Sequence, residues 1–359
     1  MPAHRIEKLR RLLSERGLEA IFVSQAANRR YLSGFTGEGF LLISAERAIL
    51  ATDSRYVKQA ESEAPDFQVV QIRGEIPKWF PGLISEFSFK YLGFESHDLT
   101  LAAYRQLIKA VRRLPPKSRP RLIPIQRLVE SLRVVKEEEE LKFIEQAALL
   151  ADTAIDYAET LLKPGITERK LAWELEKFLR EGGSEGLPFE IIVASGPNSA
   201  LPHAQPTDRP ILEGEPVLID LGARLNGYCS DLSRTICFGK PDETFRRVYH
   251  VVQEAQLAAL ERIQEGMSGD EADRVARETI EQAGYGKAFG HGLGHGVGLE
   301  VHEQPRLGMD SADILSAGMV FTIEPGIYLD GWGGIRIEDM VLLEKSGPRQ
   351  LTKAKKLNL

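Results

Sequence analysis

The chain has 359 residues, 43% of them hydrophobic and 27% charged, an ordinary globular composition long enough for two domains. A net charge of −6 and a pI near 5.8 argue against a nucleic-acid binder, and no run of eighteen apolar residues offers a membrane span. Cys229 and Cys237 lie too far apart on one extended strand to bridge, and the charged amphipathic N-terminus lacks the apolar core of a signal peptide; a reducing, cytoplasmic setting is expected.

In chain order, Ile6, Leu9, Leu12 and Leu13 recur at helical spacing, and Gly17 ends the pattern. Apolar runs at 20–24, 39–44 and 48–52 read as strands, 55–64 as a helix, and 67–72 and 91–96 as further strands. They predict a small α/β domain over residues 1–125. The basic amphipathic stretch 100–113 reads as a helix with a solvated face. Four prolines within 114–126 interrupt all periodicity and mark a boundary, with a second domain over 130–359. A long helix follows, opened by Glu137 to Glu140, whose acids favour the amino end of the helix dipole, and stopped at Pro164-Gly165.

The second domain repeats itself. Residues 163–183 resemble residues 264–284: each has a glycine turn, a hydroxyl residue able to cap, and an amphipathic helix closed by glycine. Two acidic frames recur at a similar offset. The first runs Asp220-Leu-Gly222, Gly227, Asp231; the second runs Glu324-Pro-Gly326, Gly331, Glu338, with three extra residues before its last acid. Two αβ halves packed face to face, each giving one pair of acids to a shared pocket, are the expected architecture. Asn226-Gly227 is a hairpin turn signal that sets Asp220 opposite Ser233 and turns Asp231 to the same face. A one-residue slip would separate the two acids. In the second frame Arg336 and Glu338 share a face, with Ile335 and Ile337 on the other. An arginine so placed orients that carboxylate or contacts substrate.

Between the frames lies GHGLGHGVGLEVHE, with His291, His295 and His302. It fits no G-x-G-x-x-G register and has no phosphate-reaching lysine. One acid in a strand–turn–strand is more often a turn former or a solvated charge. Two matched pairs around a histidine loop are different, because four crowded carboxylates repel unless some stay protonated. Two divalent cations would balance them, polarise a carbonyl and activate water. Imidazole with carboxylates suits manganese, cobalt, zinc or ferrous iron. His4, His97 and His250 have no acidic partner in these frames and read as structural or surface residues, and the two cysteines as strand packing.

These motifs resemble the pita-bread metallopeptidases, which include methionine aminopeptidases, prolidases and aminopeptidase P. IDLGARLNGYCSDLSRT, GHGVGLEVHE, TIEPGIY and IRIEDMV occur in the family's order over residues 217–341. The resemblance implies an α+β chain, with a C-terminal pita-bread fold of pseudo-twofold αβ halves behind a smaller α/β domain. It implies metal ligands at Asp220, Asp231, His295, Glu324 and Glu338, two metal ions with manganese or cobalt favoured, and Glu324 as the proton-shuttling base. It further implies that His302 stabilises the tetrahedral intermediate. His203 in SALPHA, His291 near the substrate pocket and Arg336 match the proline-directed branch. The implied activity is hydrolysis of Xaa-Pro bonds at a free amino terminus, most simply by a dipeptidase, with aminopeptidase P acting on longer peptides as the alternative. A non-catalytic peptide-binding scaffold of the same fold is the reading outside enzymes. A homodimer, a peptide substrate with proline second, and no nucleic acid or membrane partner complete the expectations.

Overall fold

Helical spacing of Ile6, Leu9 and Leu13 forms α1 (Pro2–Glu15), with all three side chains buried. The structure is a computed structural model that describes residues 2–85, 87 and 89–359. It divides into two compact units between Arg133 and Val134.

After α1 the first unit continues with β1 (Ala20–Val23), α2 (Ala26–Ser33), β2 (Phe40–Ser44), β3 (Ala48–Thr52), α3 (Val57–Glu63) and β4 (Gln68–Gln71). It ends with α4 (Ile76–Ile84), β5 (Tyr91–Glu95), α5 (Leu101–Arg112), β6 (Arg121–Ile125) and α6 (Glu130–Arg133). The strands make one sheet in the order β4-β3-β2-β1-β5-β6, parallel at β3/β4 and β1/β5/β6 and antiparallel between. Residues 114–126 are not featureless: they hold β6. It lies at the sheet edge, where Pro124, opposite Phe94, needs no second ladder partner for the N–H it lacks. The short helix α6 belongs to this first unit, because Asn28 binds both Glu130 Oε1 (2.6 Å) and Arg133 Nη1 (2.7 Å).

In the second unit, α7 (Glu138–Leu161) and α8 (Glu168–Glu181) precede β7 (Ile192–Ser195), β8 (Pro216–Leu221), β9 (Arg224–Leu225), β10 (Tyr228–Cys229) and β11 (Leu232–Cys237). Then come α9 (Glu243–Arg262), α10 (Gly269–Gln282), β12 (Gly294–Gly296), β13 (Glu303–Leu307), β14 (Val320–Ile323), β15 (Gly326–Leu329), β16 (Gly333–Arg336), β17 (Asp339–Glu344) and β18 (Gly347–Gln350). The acids that open α7 form a capping box of Glu137 with Glu140, and Glu140 also accepts the Tyr228 hydroxyl at 2.8 Å.

The internal repeat is real in three dimensions. Helices α8 and α10 are both 14 residues long and are capped by Thr167 and Ser268, an offset of 101. Each cap residue also makes an isolated antiparallel bridge to a later loop residue, Thr167 to Pro210 and Ser268 to Ile314. Strands β7-β8-β11 of the first half correspond to β12-β14-β17 of the second, with β8 and β14 starting 104 residues apart. Each half buries its own apolar cluster between helices and sheet. One is built on Ile155, Leu171, Leu175 and Ile219, the other on Val252, Ala276, Phe321 and Val341. No helix among the described residues is long and apolar enough to cross a membrane.

Candidate metal centre

The first acidic frame is one hairpin without a register slip. Its turn has Asn226 at φ 49° and Gly227 at φ 80°, the double left-handed conformation of a two-residue hairpin turn. Pairing runs from Leu225 opposite Tyr228 to Pro216 opposite Cys237, and Asp220 faces Ser233 as its spacing predicts. The second frame behaves alike, with Ile323 opposite Asp339 and Gly326 opposite Arg336, which leaves Glu324 across from Glu338. The stretches expected to be continuous strands nevertheless break at Asp231 and Glu338, the acids themselves. There the main chain turns to the other repeat: the Glu338 N–H donates to Ser233 O (3.1 Å), and the Asp231 N–H to Met340 Sδ (3.2 Å). These crossed bonds bring the two carboxylates to one place.

The glycine-rich stretch between the frames supplies the imidazoles. A Cβ on Gly294 would lie 2.0 Å from the Thr322 carbonyl oxygen, so glycine is what lets β12 approach β14. That approach carries His295 to the acids. Its N–H donates to Thr322 Oγ1 (3.1 Å), and Thr322 Oγ1 donates to Glu324 Oε1 (3.0 Å).

Ligand atoms of Asp231, His295 and Glu338 all lie within 4.8 Å of one another. His295 Nδ1 faces the Gly296 carbonyl at 3.2 Å, so that nitrogen carries the proton. The lone pair on Nε2 then points at Glu324 Oε1 (3.3 Å) and Asp231 Oδ2 (3.6 Å). An acceptor aimed at two carboxylates is unfavourable unless a cation lies among them. Two further observations fit a cation. Asp220 Oδ1 is buried with no hydrogen-bond partner. Burial first, and repulsion by neighbouring carboxylates second, push Asp231 and Glu338 well above ordinary carboxylate pKa values, Glu338 leading for Asp231 and Glu324 for Glu338. Glu324 is also raised by burial, with His291 and Arg336 pulling it back. The donor set thus fits a divalent ion in a hard-to-borderline oxygen and imidazole site.

Asp220 is near these acids but is engaged differently. Arg336 Nη2 donates to its Oδ2 at 2.5 Å. The same guanidinium donates to Ser233 Oγ (2.9 Å), Tyr328 Oη (2.9 Å) and Pro202 O (3.2 Å). With those donors on protein groups, its geometry is that of an organiser of the carboxylates. Ser233 in turn donates to Glu338 Oε2 at 2.7 Å. His291 Nδ1 faces Gly292 O (2.8 Å) and so carries its proton, leaving Nε2 to accept the Tyr328 hydroxyl at 2.9 Å. Burial holds His291, His295 and His302 below the usual imidazole pKa, keeping them neutral. The His302 ring lies 4.2 Å from that of His295. His203 is exposed, on a loop joined to Arg336 through the neighbouring Pro202 carbonyl. Tyr328 and Thr322 carried no signal in the sequence beyond a spacing of two from a predicted site residue or glycine, and Ser233 was legible only as the residue opposite Asp220. Away from the cluster, His250 pairs with Glu254 (3.2 Å) and His97 with Glu130 (2.9 Å). Both cysteines are free thiols.

Known proteins share this construction. The model of metallopeptidase family M24 matches residues 142–345, and that of the creatinase/prolidase N-terminal domain matches residues 5–135. A solved Xaa-Pro dipeptidase from Bacillus anthracis is 40% identical, with a TM-score of 0.95 and 99% of each chain covered. The Xaa-Pro dipeptidase of Pyrococcus furiosus is 36% identical over 359 residues, 98% of each chain. A solved X-Pro aminopeptidase from Thermotoga maritima is 37% identical, with a TM-score of 0.88, covering 96% of this chain and 98% of that one. The second unit has the pita-bread fold of paired αβ halves. Since the family match spans both repeats and every acid and histidine gathered between them, the chain belongs to metallopeptidase family M24, behind a creatinase/prolidase N-terminal domain.

Proposed function

We propose that the protein is an Xaa-Pro dipeptidase that holds two divalent cations, manganese or cobalt favoured, on Asp220, Asp231, His295, Glu324 and Glu338. The observation that carries this reading is the convergence of Asp231, His295 and Glu338 within 4.8 Å, with the bare His295 nitrogen facing acids. Such cations, when bound, polarise a carbonyl and lower the pKa of water.

The remaining steps belong to the chain's own groups. Glu324, its pKa raised by burial, takes the proton from the attacking water and delivers it to the leaving proline nitrogen. Neutral His302 beside His295 donates to the oxyanion that develops on the carbonyl. His203 reaches the peptide from the exposed loop. His291, oriented by the Tyr328 hydroxyl, lines the substrate side, and Arg336 fixes Asp220 against movement. A bond to proline has no N–H, so recognition rests on the free amino terminus and the ring.

The solved relative described as an X-Pro aminopeptidase supports a second reading, in which longer peptides are accepted. The manganese-loaded protein should cleave Ala-Pro briskly and a pentapeptide with proline second poorly. Equal turnover of the pentapeptide replaces the dipeptidase with an aminopeptidase. His302→Ala should lower kcat by about 10²-fold while calorimetry gives an unchanged metal affinity. Unaltered kcat removes His302 from the mechanism. The two free thiols support a reducing, cytoplasmic location, and a homodimer is the state that sedimentation should find.

A further inference from the structure

Helix α10 carries a buried ion pair that the chemistry above does not use. Arg277 Nε and Nη2 meet Asp273 Oδ2 and Oδ1 at 2.6 and 2.9 Å, one helical turn apart, with side chains 11% and 2% exposed. The pair's other bonds all go to one short segment. Asp273 Oδ1 accepts the Leu293 N–H at 2.9 Å, while Arg277 donates to Phe289 O (3.0 Å) and His291 O (2.7 Å). The guanidinium also covers the Phe289 ring at 4.3 Å, and that ring stands edge-on to His291. From there the contact reaches the cluster by one further bond, because Leu293 O accepts the Glu324 N–H at 2.8 Å. Gly294 and His295 follow directly in the chain.

Holding the helix in place does not require this pair. Ala272, Val275, Ala276 and Ile280 already bury the inner face of α10 in the apolar core. A buried ion pair contributes little net stability over apolar residues of similar size, because desolvation offsets its attraction. What it adds is direction: the rigid fork of Arg277 fixes two backbone carbonyls and Asp273 a backbone N–H, three groups of residues 289–293 in all.

We propose that Asp273 and Arg277 are positioning residues, clamping residues 289–293 so that the His291 ring and the Glu324 backbone hold their working geometry. The inference rests on the reading of His291 and Glu324 as site groups. Misplacing reacting groups by about 1 Å can cost about 10²-fold in rate.

Arg277→Lys keeps a charge for Asp273 and loses the fork; Asp273→Asn keeps an acceptor for the Leu293 N–H and loses the charge. Each is compared with the parent by amide hydrogen exchange, by KM and kcat on Ala-Pro well below melting, and by Tm. Arg277→Lys should speed exchange locally at residues 289–294, raise KM and lower kcat/KM about tenfold or more. Asp273→Asn should show a smaller change in the same direction, and it carries the test should Arg277→Lys not fold. A lowered Tm with parental KM, kcat and local exchange overturns the proposal and leaves a pair that only stabilises. Should the parent itself not cleave Ala-Pro, the dipeptidase reading fails, while exchange loosened only at 289–294 still supports the clamp.

Discussion

Glu324→Ala is expected to all but abolish peptide hydrolysis, with kcat reduced about 10³-fold, the middle of the roughly 10²–10⁴-fold range for loss of a positioned general base. The side chain stands at a junction: Thr322 donates to it at 3.0 Å, His295 Nε2 is 3.3 Å away, and Glu338 lies across the hairpin. On the roles proposed above, its removal takes away both a proton carrier and a ligand oxygen. Calorimetric titration should therefore show metal affinity weakened about tenfold or more as well. Glu324→Gln separates the two losses: the amide oxygen still accepts from Thr322 and can still face a cation, but the group cannot carry the proton. It should stay folded, bind metal better than the alanine variant, and remain inactive. Activity retained in Glu324→Gln would falsify the assignment of the base.

The second large effect concerns stability without metal. Asp231, Glu324 and Glu338 have folded-state pKa values raised by burial and crowding, so the folded state binds protons more tightly than the unfolded chain does. For such acids stability is greatest below the ordinary carboxylate value, about 4, and is lost as pH rises through the raised values. His291, His295 and His302 are shifted down and act oppositely, but only below about pH 6.5, where the unfolded chain takes up protons. Above about pH 6.5 their contribution is flat. As the raised carboxylates ionise with rising pH, the chelated protein should melt lower, and manganese should raise Tm more. Glu338→Gln, which removes one buried charge while still accepting the Ser233 hydroxyl, should melt above the chelated parent at pH 8, by about 2 °C or more. It should also gain less from manganese. A chelated Glu338→Gln that melts below its parent would show that the acids are not in conflict, and the argument for a cation would go with it.

Local chemistry made much of this legible in the sequence. Asn226-Gly227 fixed a hairpin register within a dozen residues, and the turn alone sets which face Asp220 and Asp231 share. The caps Thr167 and Ser268 were readable for the same reason, each being a hydroxyl at the start of an apolar period. Strand β6 was hidden by Pro124, which reads as a breaker until its edge position is known. Helix α4 was obscured likewise by Pro77 in its first turn and Pro81 within it. The breaks at Asp231 and Glu338 had no local signal, because the groups that draw the main chain away there, Met340 and Ser233, lie about a hundred residues distant. Tyr328 escaped notice because its hydroxyl gains meaning only between His291 and Arg336.

The repeat has a physical consequence. Were the two halves separate chains, each with one hairpin and one pair of acids, they could enclose ions only when two such chains met, at a rate set by their concentration. A single polypeptide turns that encounter into folding. The crossed bonds from Glu338 to Ser233 and from Asp231 to Met340 are where the halves meet: the first lends a backbone oxygen, the second a thioether.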